Sequence, residues 1–573
     1  MKLKYTVIAL AALFAAQNAS QAQDLDPTVV VNKAYEGKLV QVHKPTFEMA
    51  VPDSVARFDL DFDYLVSEQP YKGADGFTPY ILNMKPETAA PALRTLYLNA
   101  GAGYSLHPTL DAVWSPLKGK TFRLDVYAHH RSYVGNYRSF RPQNTTSEEI
   151  RIDRWRESGG DKAHWAGYDF MTRAGVDGRF ERESLSAGFD VSYYGLASKD
   201  LQKKRMYDAL DVRLGVSSKP KVDPHFRYEV SAAYRLAEDK LNYTYYGKGY
   251  LGEHVIDFDF ALGQVFAGGH QVMVDVETDV ALYQQQNLWQ AIFVPHYVFS
   301  KGRWNVDAGV RVSTYGPTAY PDVKAGYAVI KDAMRIYAGV GGGTSLNTYA
   351  SLLERNHHVD PRFNYDASGL MGVTVERVSA SLGIEGRVGS VFSYDLHGGY
   401  ANYANDVLDA VVESTDPISG GRLYLPALGY SAYQKYFAAA HWLLLSDDIR
   451  FDGKVEYTYA WGLDDSADLF LPAAVTGEVS FEYNWTKRIF AGVDCGFSTA
   501  RRGSVWVKIP GGPWSEKAVI PGFADLGLSF KYAFNRSFSL WARGGNLLNM
   551  TIQRNPLYAE KGANLTVGIC LNL

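Results

Sequence analysis

Cysteine is nearly absent from this 573-residue chain: Cys495 and Cys570 are the whole supply, so no disulfide framework holds it together. Apolar runs of about 20 residues are missing too, which excludes a bundle of membrane-spanning helices. Basic residues do not exceed acidic ones (58 Lys and Arg against 62 Asp and Glu), so nothing signals a face for nucleic acid. Charge is scarce overall at 21%, while 14% of residues are aromatic, a balance that disordered chains do not show. What is abundant is 40 Tyr and 53 Gly in a chain whose mean hydropathy is slightly negative. That pairing of a polar average with many aromatics sets the question.

Residues 1–22 read as a secretory signal peptide. Lys2 and Lys4 form a positive start, Val7 to Ala16 an apolar core of ten, and Ser20-Gln21-Ala22 a small-residue cleavage site. No cysteine lies near that site, so no lipoprotein anchor is expected. A mature chain beginning at Gln23 would carry 56 basic against 62 acidic residues.

From about residue 94 to 573 the pattern has period 2. Phe122, Leu124, Val126 and Ala128 share one face, while Thr121, Arg123, Asp125, Tyr127 and His129 share the other. Val272, Val274, Val276, Val280 and Leu282 oppose Met273, Asp275, Glu277 and Asp279, and Val475 to Trp485 alternates likewise. Alternation alone fits a sandwich, a propeller or a barrel. Connector length decides between them. Short turns such as Ser300-Lys301-Gly302-Arg303, Lys331-Asp332, Thr486-Lys487-Arg488 and Asn535-Arg536 alternate with longer loops near 132–165, 237–251, 342–375, 403–431, 462–473, 500–520 and 546–561. With 367–376 read as loop, the count is twenty-two strands. An even number with long loops on one side predicts an all-β, transmembrane antiparallel barrel preceded by a short extended segment, 23–93. Tyr104, Tyr193, Tyr234, Tyr297, Tyr459, Trp461 and Trp485 fall near strand ends, where amphipathic rings suit a membrane interface.

The last residues carry a resemblance. Gly545-Asn546-Leu547-Leu548-Asn549, then Pro556-Leu557-Tyr558, Gly562-Ala563-Asn564 and a closing strand resemble the C-terminal segment of TonB-dependent receptors. Leu565, Val567, Ile569, Leu571 and Leu573, all facing out, are similar to the signal read by the barrel-assembly machinery. Leu573 replaces the usual terminal aromatic, and Ala563 stands where the family often has arginine. The resemblance implies outer-membrane lipid as surroundings, and binding or passage of solutes as function. Asp26, Thr28, Val29, Val30 and Val31 look like the box through which such receptors contact TonB, although a valine run is also an ordinary short strand. Residues 24–93 number about half of the family's plug and contain seven prolines, so the chain is similar to plug-lacking barrels of Bacteroidota-like envelopes. The alternating run Phe58 to Tyr64 could add a strand to a periplasmic or luminal neighbour. An assembly or envelope-organising barrel with an occupied lumen, bound to a periplasmic or surface partner, is the competing expectation.

Individual chemistry is sparse. No Lys or Arg occurs after Gly249 until Lys301, and Asp257, Asp259, Asp275, Glu277 and Asp279 should line one luminal wall. Such a patch could attract cations or a basic segment, or be a wet wall paired with arginines such as Arg227, Arg235 and Arg311. His130 and Ser132 have the His-x-Ser spacing that outer-membrane lipid hydrolases place on a strand, yet no orienting acid can be assigned. His357-His358, with Glu354 and Asp360, reads as exposed loop polarity or a metal site. The chain is expected not to be an enzyme and to hold no cofactor or metal.

Overall fold

A computed structural model describes residues 95–573, apart from loop positions 105, 139–142, 145–149, 152–163, 201–202, 220–221, 244–246, 285, 317–318, 362–370, 416–421, 464–468 and 510–511. Within it, twenty-two antiparallel strands follow one another in chain order from Leu96–Gly103 to Asn564–Asn572. The first and last pair directly, Tyr97 opposite Asn572 through Gly103 opposite Thr566, and close the sheet into a barrel. Closure leaves the membrane-spanning wall without a free edge strand, so its backbone groups can pair inside the sheet.

Residue type sets the two faces. On the strand Lys203–Ser218, Arg205, Tyr207, Ala209 and Asp211 are buried inward, while Leu210 and Leu214 are 44% and 56% exposed on the outside. Ile256, Phe258, Val272, Phe481, Val567 and Ile569 continue the exposed apolar belt around the wall. Tyr193, Tyr234, Tyr297, Tyr459 and Trp485 are exposed on that belt. Tyr234 keeps its hydroxyl 2.8 Å from His254 Nδ1, so its polar tip is met locally.

Turns at one end are tight. Gly269 adopts φ +86°, and a Cβ there would lie 1.9 Å from the Ser300 carbonyl oxygen, so only glycine fits. At the other end the connectors differ from expectation. Residues 403–415 and 422–431, read as loop, belong to strands of 24 residues each, Phe392–Thr415 and Arg422–Leu445. Likewise 132–138, 237–243 and 342–347 extend their strands. A membrane needs only about 9–11 tilted strand residues, so these hairpins run on well past it. In the longest of them Val407, Leu408, Ala410, Val411, Leu425, Ala427 and Leu428 are buried on both faces, so the period-2 signal is lost and the stretch does not read as a barrel strand.

The seam is packed from inside by Trp541, whose ring covers Gly101 and Gly568; a Cβ on Gly568 would fall 2.4 Å from Trp541 Cζ2 and 2.4 Å from the Ala100 carbonyl oxygen. Gly568→Val is therefore expected to destabilise the closed barrel by about 1–3 kcal/mol. The urea midpoint of the heat-modifiable folded band measures it, and an unchanged midpoint would contradict the packing assigned to the seam.

Candidate functional site

A ring of twenty-two strands encloses a lumen too wide for wall side chains to fill. Its loop end is crossed by the chain's own connectors. One of them leaves the strand Met334–Asn347, crosses the mouth and forms a seven-residue helix, Tyr349–Arg355. Thr348 caps it by accepting from the Ser351 N–H at 3.2 Å. Tyr349, Leu352 and Leu353 stand at i, i+3 and i+4 and are buried, so the helix has one apolar face. The wall receiving that face belongs to the fifth to ninth strands. Ala209, Ala237, Val255 and Ala281 form a shelf of small inward side chains there, with Leu196 and Tyr207 beside it.

Polar groups fasten the helix and the chain after it. Arg205, fully buried, reaches Asp239 Oδ2 at 3.0 Å and the Tyr349 hydroxyl at 3.1 Å, and donates to the carbonyls of His357 and Val359. Lys203 Nζ lies 3.3 Å from Asp360 and donates to the His358 carbonyl at 3.0 Å. Tyr243 donates to Asp360 at 2.6 Å, and Tyr283 donates to Glu253 at 2.6 Å while accepting from the Tyr349 N–H. Arg205 and Lys203 thus meet carboxylates and further hydrogen bonds, the condition under which buried ions are tolerated. Glu253 is held by hydrogen bonds from the Tyr283 hydroxyl and the Ala350 N–H.

Besides this first element, two others lie at the mouth. Residues 546–563 lie against the first: His358 stacks on Tyr558 with centroids 3.5 Å apart, and Tyr558 donates to Asp200 at 2.8 Å. A small sheet crosses the mouth. It runs from the fifteenth strand, Phe392–Thr415, through Leu469–Phe470, Arg501–Ile509 and Gly512–Ile520 to Ile150–Arg151 and Gln143–Asn144. The last two segments lie in the connector after the third strand, ten strands round the ring from the fifteenth. Val411, Phe470, Val505, Ala518 and Ile520 form its core, and Arg501 ties it to Asp409 at 2.6 Å.

The sequence candidates fall differently. Asp26 and Thr28 to Val31 lie outside the described residues, as do Phe58 to Tyr64. In the acidic stretch Asp257 faces Asp279 and Asp259 faces Glu277 across neighbouring strands, so the patch is continuous. It is bridged on its flanks. Glu277 meets Arg311 at 3.4 Å, Asp275 meets His296 at 3.3 Å, Asp279 accepts from Gln290 at 2.6 Å and Asp259 from Ser231 at 3.1 Å. Arg235 pairs with Asp211 instead.

The C-terminal motif is a folded loop. Asn546 Nδ2 donates to the Met550 and Lys561 carbonyls, its Oδ1 accepts from the Met550 N–H, and Asn549 accepts from Ala563. A Cβ on Gly562 would sit 2.8 Å from Asn549 Oδ1. Leu547, Leu548 and Leu573 are exposed.

His130 Nε2 lies 3.1 Å from Ser132 Oγ and its Nδ1 2.8 Å from Thr172 Oγ1. The third group is a hydroxyl, not a carboxylate, and Ser132 is buried with its Oγ also 3.2 Å from the Pro108 carbonyl. The pair braces two strands and one loop. His357 and His358 are not exposed loop polarity, as expected from sequence: their rings lie 3.9 Å apart beneath the cover, and His357 meets Asp169 at 3.1 Å. The backbone is folded there, so adjacent side chains no longer diverge. Among the described residues no group of three His, Cys, Asp or Glu is placed to hold a metal.

The sequence reading missed Arg205, Asp239 and Tyr349. Thr348 followed by apolar residues at 349, 352 and 353 was the available signal for a helix inside a loop.

Two outcomes follow from the latch. Arg205→Met leaves Asp239 buried without its cation, which costs about 3–5 kcal/mol. Hydrogen exchange of residues 349–361 is expected to rise steeply while barrel strands stay protected. Burial, then His357, Lys203 and Arg205, hold the His358 ring well below its ordinary pKa of about 6.5. The unfolded or undocked ring binds the proton more readily than the docked one. Docking is therefore strongest above about pH 6.5 and weakens as pH falls below it. Exchange of 349–361 at pH 8 and pH 5 measures this, and His358→Phe is expected to flatten the difference.

No family model matches the chain, and no curated protein matches it. Solved structures do. The copper transporter OprC aligns with TM-score 0.58 at 11% identity, over 85% of this chain and 84% of that one. The FrpB iron transporter from Neisseria meningitidis (F5-1 variant, apoprotein form) aligns at 0.58 and 9%, over 84% and 81%. The siderophore receptor PirA from Acinetobacter baumannii aligns at 0.55 and 10%, over 84% and 80%. At these identities the likeness is one of fold: this chain has the large closed barrel that such receptors and transporters share.

Proposed function

We propose that the chain is an outer-membrane barrel, resembling TonB-dependent receptors, that mediates binding or passage of solutes and works without a full plug domain. The observation that carries this is the mouth. A wide lumen is spanned at its loop end by a latched helix and a cross-mouth sheet made from the barrel's own connectors. An open, unregulated pore has no use for such a closure, whereas a solute path does. The exposed apolar belt, the signal-like residues 1–22 and the fold neighbours support the location. The shortness of 23–93 supports the missing plug, and Asp26 to Val31 would supply a TonB contact.

The same closure also suits an envelope-organising barrel with a permanently filled lumen. Planar-bilayer recording separates the two. The intact protein is expected to show little current, and variants lacking residues 349–361 or 24–93, or both, are expected to reveal which segment blocks the lumen. Steady conductance after either deletion supports solute passage. Silence of the double deletion, in protein that remains heat-modifiable, would assign the barrel to organisation instead. Ser132→Ala is expected to change neither current nor any lipid hydrolysis; loss of a lipase activity would sink both readings.

A further inference from the structure

The barrel wall is of very unequal height. At the seam the strands Leu96–Gly103 and Phe538–Gly545 have 8 residues, Asn564–Asn572 has 9 and Thr109–Lys118 has 10. Away from the seam the hairpin Phe392–Thr415 and Arg422–Leu445 has 24 in each strand. Crossing hydrocarbon takes about 9–11 tilted strand residues. The seam strands are therefore spent by the time they reach the far side of the bilayer, and their connecting loops begin at membrane level.

Those two loops are apolar on the outside. Tyr104 and Leu106, in the loop after the first strand, are 84% and 68% exposed; Leu547, Leu548 and Met550, in the loop after Phe538–Gly545, are exposed as well. Neither loop is slack. Leu106 accepts from the Val134 N–H and Pro108 from the Ser132 N–H, both at 3.2 Å, and Tyr104 N–H donates to Leu565 at 3.1 Å. The second loop is held by the Asn546 ring of hydrogen bonds to Met550 and Lys561.

The direction of the side chains is set by this frame. His107 turns inward, is buried, and meets Thr566 Oγ1 at 2.7 Å, whereas Leu106 beside it is exposed. Leu106 does so from φ +45°, a conformation that leucine rarely adopts. Leu547 folds back over the outer wall: a methyl added to Gly544, which shares the lipid face with Leu540, would sit 3.0 Å from Leu547 Cδ2. Large apolar side chains held outward by a strained or braced backbone are unfavourable against water and favourable against acyl chains.

We propose that these two loops form a lipid-binding sill, with Tyr104, Leu106, Leu547 and Leu548 seated among the acyl chains of the outer leaflet. The occupant follows from continuity, since Leu565 and Val567 of the belt lie on the same face directly beneath. The mouth then lies at headgroup level on the seam side and stands far above it where Phe392–Thr415 and Arg422–Leu445 run on. This inference concerns the rim and is independent of what the lumen conducts.

Site-directed spin labels test it in the full-length protein, reconstituted in phosphatidylcholine vesicles, with Cys495→Ala and Cys570→Ala as background. Labels at Leu106→Cys and Leu548→Cys are compared with Val567→Cys in the belt and Lys487→Cys in an exposed turn. The expected result is an oxygen-to-nickel-chelate accessibility ratio matching position 567 and several-fold above position 487. A ratio matching position 487 would place the sill in water and overturn the proposal. Labels shielded from both reagents would mean a protein partner or second copy covers the patch, which also overturns it. Heat-modifiable mobility of each variant confirms that the barrel being read is folded.

Discussion

Closure of the sheet is the constraint on which everything else rests. In hydrocarbon no water can satisfy a strand edge, so the pairing of Leu96–Gly103 with Asn564–Asn572 is obligatory rather than merely stabilising. Once the ring has twenty-two members, its geometry dictates a wide interior. Wall side chains cannot meet across that gap. Longer connectors must therefore cross the mouth or leave it to solvent, and in this chain a helix and a small sheet lie across it at the loop end.

Filling a polar lumen with a peptide segment demands specific chemistry. An apolar helix face alone would find few apolar partners there, so the wall supplies a local shelf of alanines at 209, 237 and 281. Around that shelf the backbone carbonyls of 357 to 359 and the carboxylate of Asp360 meet Arg205 and Lys203. Such buried pairs add modest net stability but penalise every misplaced arrangement, because a single displaced partner strands a charge. The latch is thus better at defining one docked position than at adding net stability.

Much of the architecture was legible because period 2 and connector parity are local properties. Val272 to Leu282 alternates whatever lies beside it, and Thr486-Lys487-Arg488 turns whatever it connects. The strand number followed from those features. The strand ends did not, since the upper parts of Phe392–Thr415 and Arg422–Leu445 bury apolar residues on both faces, Val407 and Leu408 or Ala427 and Leu428 alike, and so lose the alternation. The Asn546 and Asn549 motif was visible as letters, but its brace to Lys561 and Ala563 was not. His357-His358 was misread as exposed for the same reason: nothing in two adjacent histidines announces Tyr558, two hundred residues away, as the ring beneath them.

What the sequence by itself determined is therefore the barrel: its strand count, its two faces, its closing strand and its want of helices to span a membrane. These depend on alternation and turn chemistry, which act over a few residues. What only the tertiary structure decided is which connectors cross the mouth and how the height of the rim varies around the wall. Arg205 reads as one more luminal cation until the loop from Thr348 crosses the ring to meet it. Leu106 and Leu547 read as ordinary loop leucines until strand lengths around the wall are compared. Both depend on contacts and heights set across the ring, and no local pattern encodes a distance across a lumen.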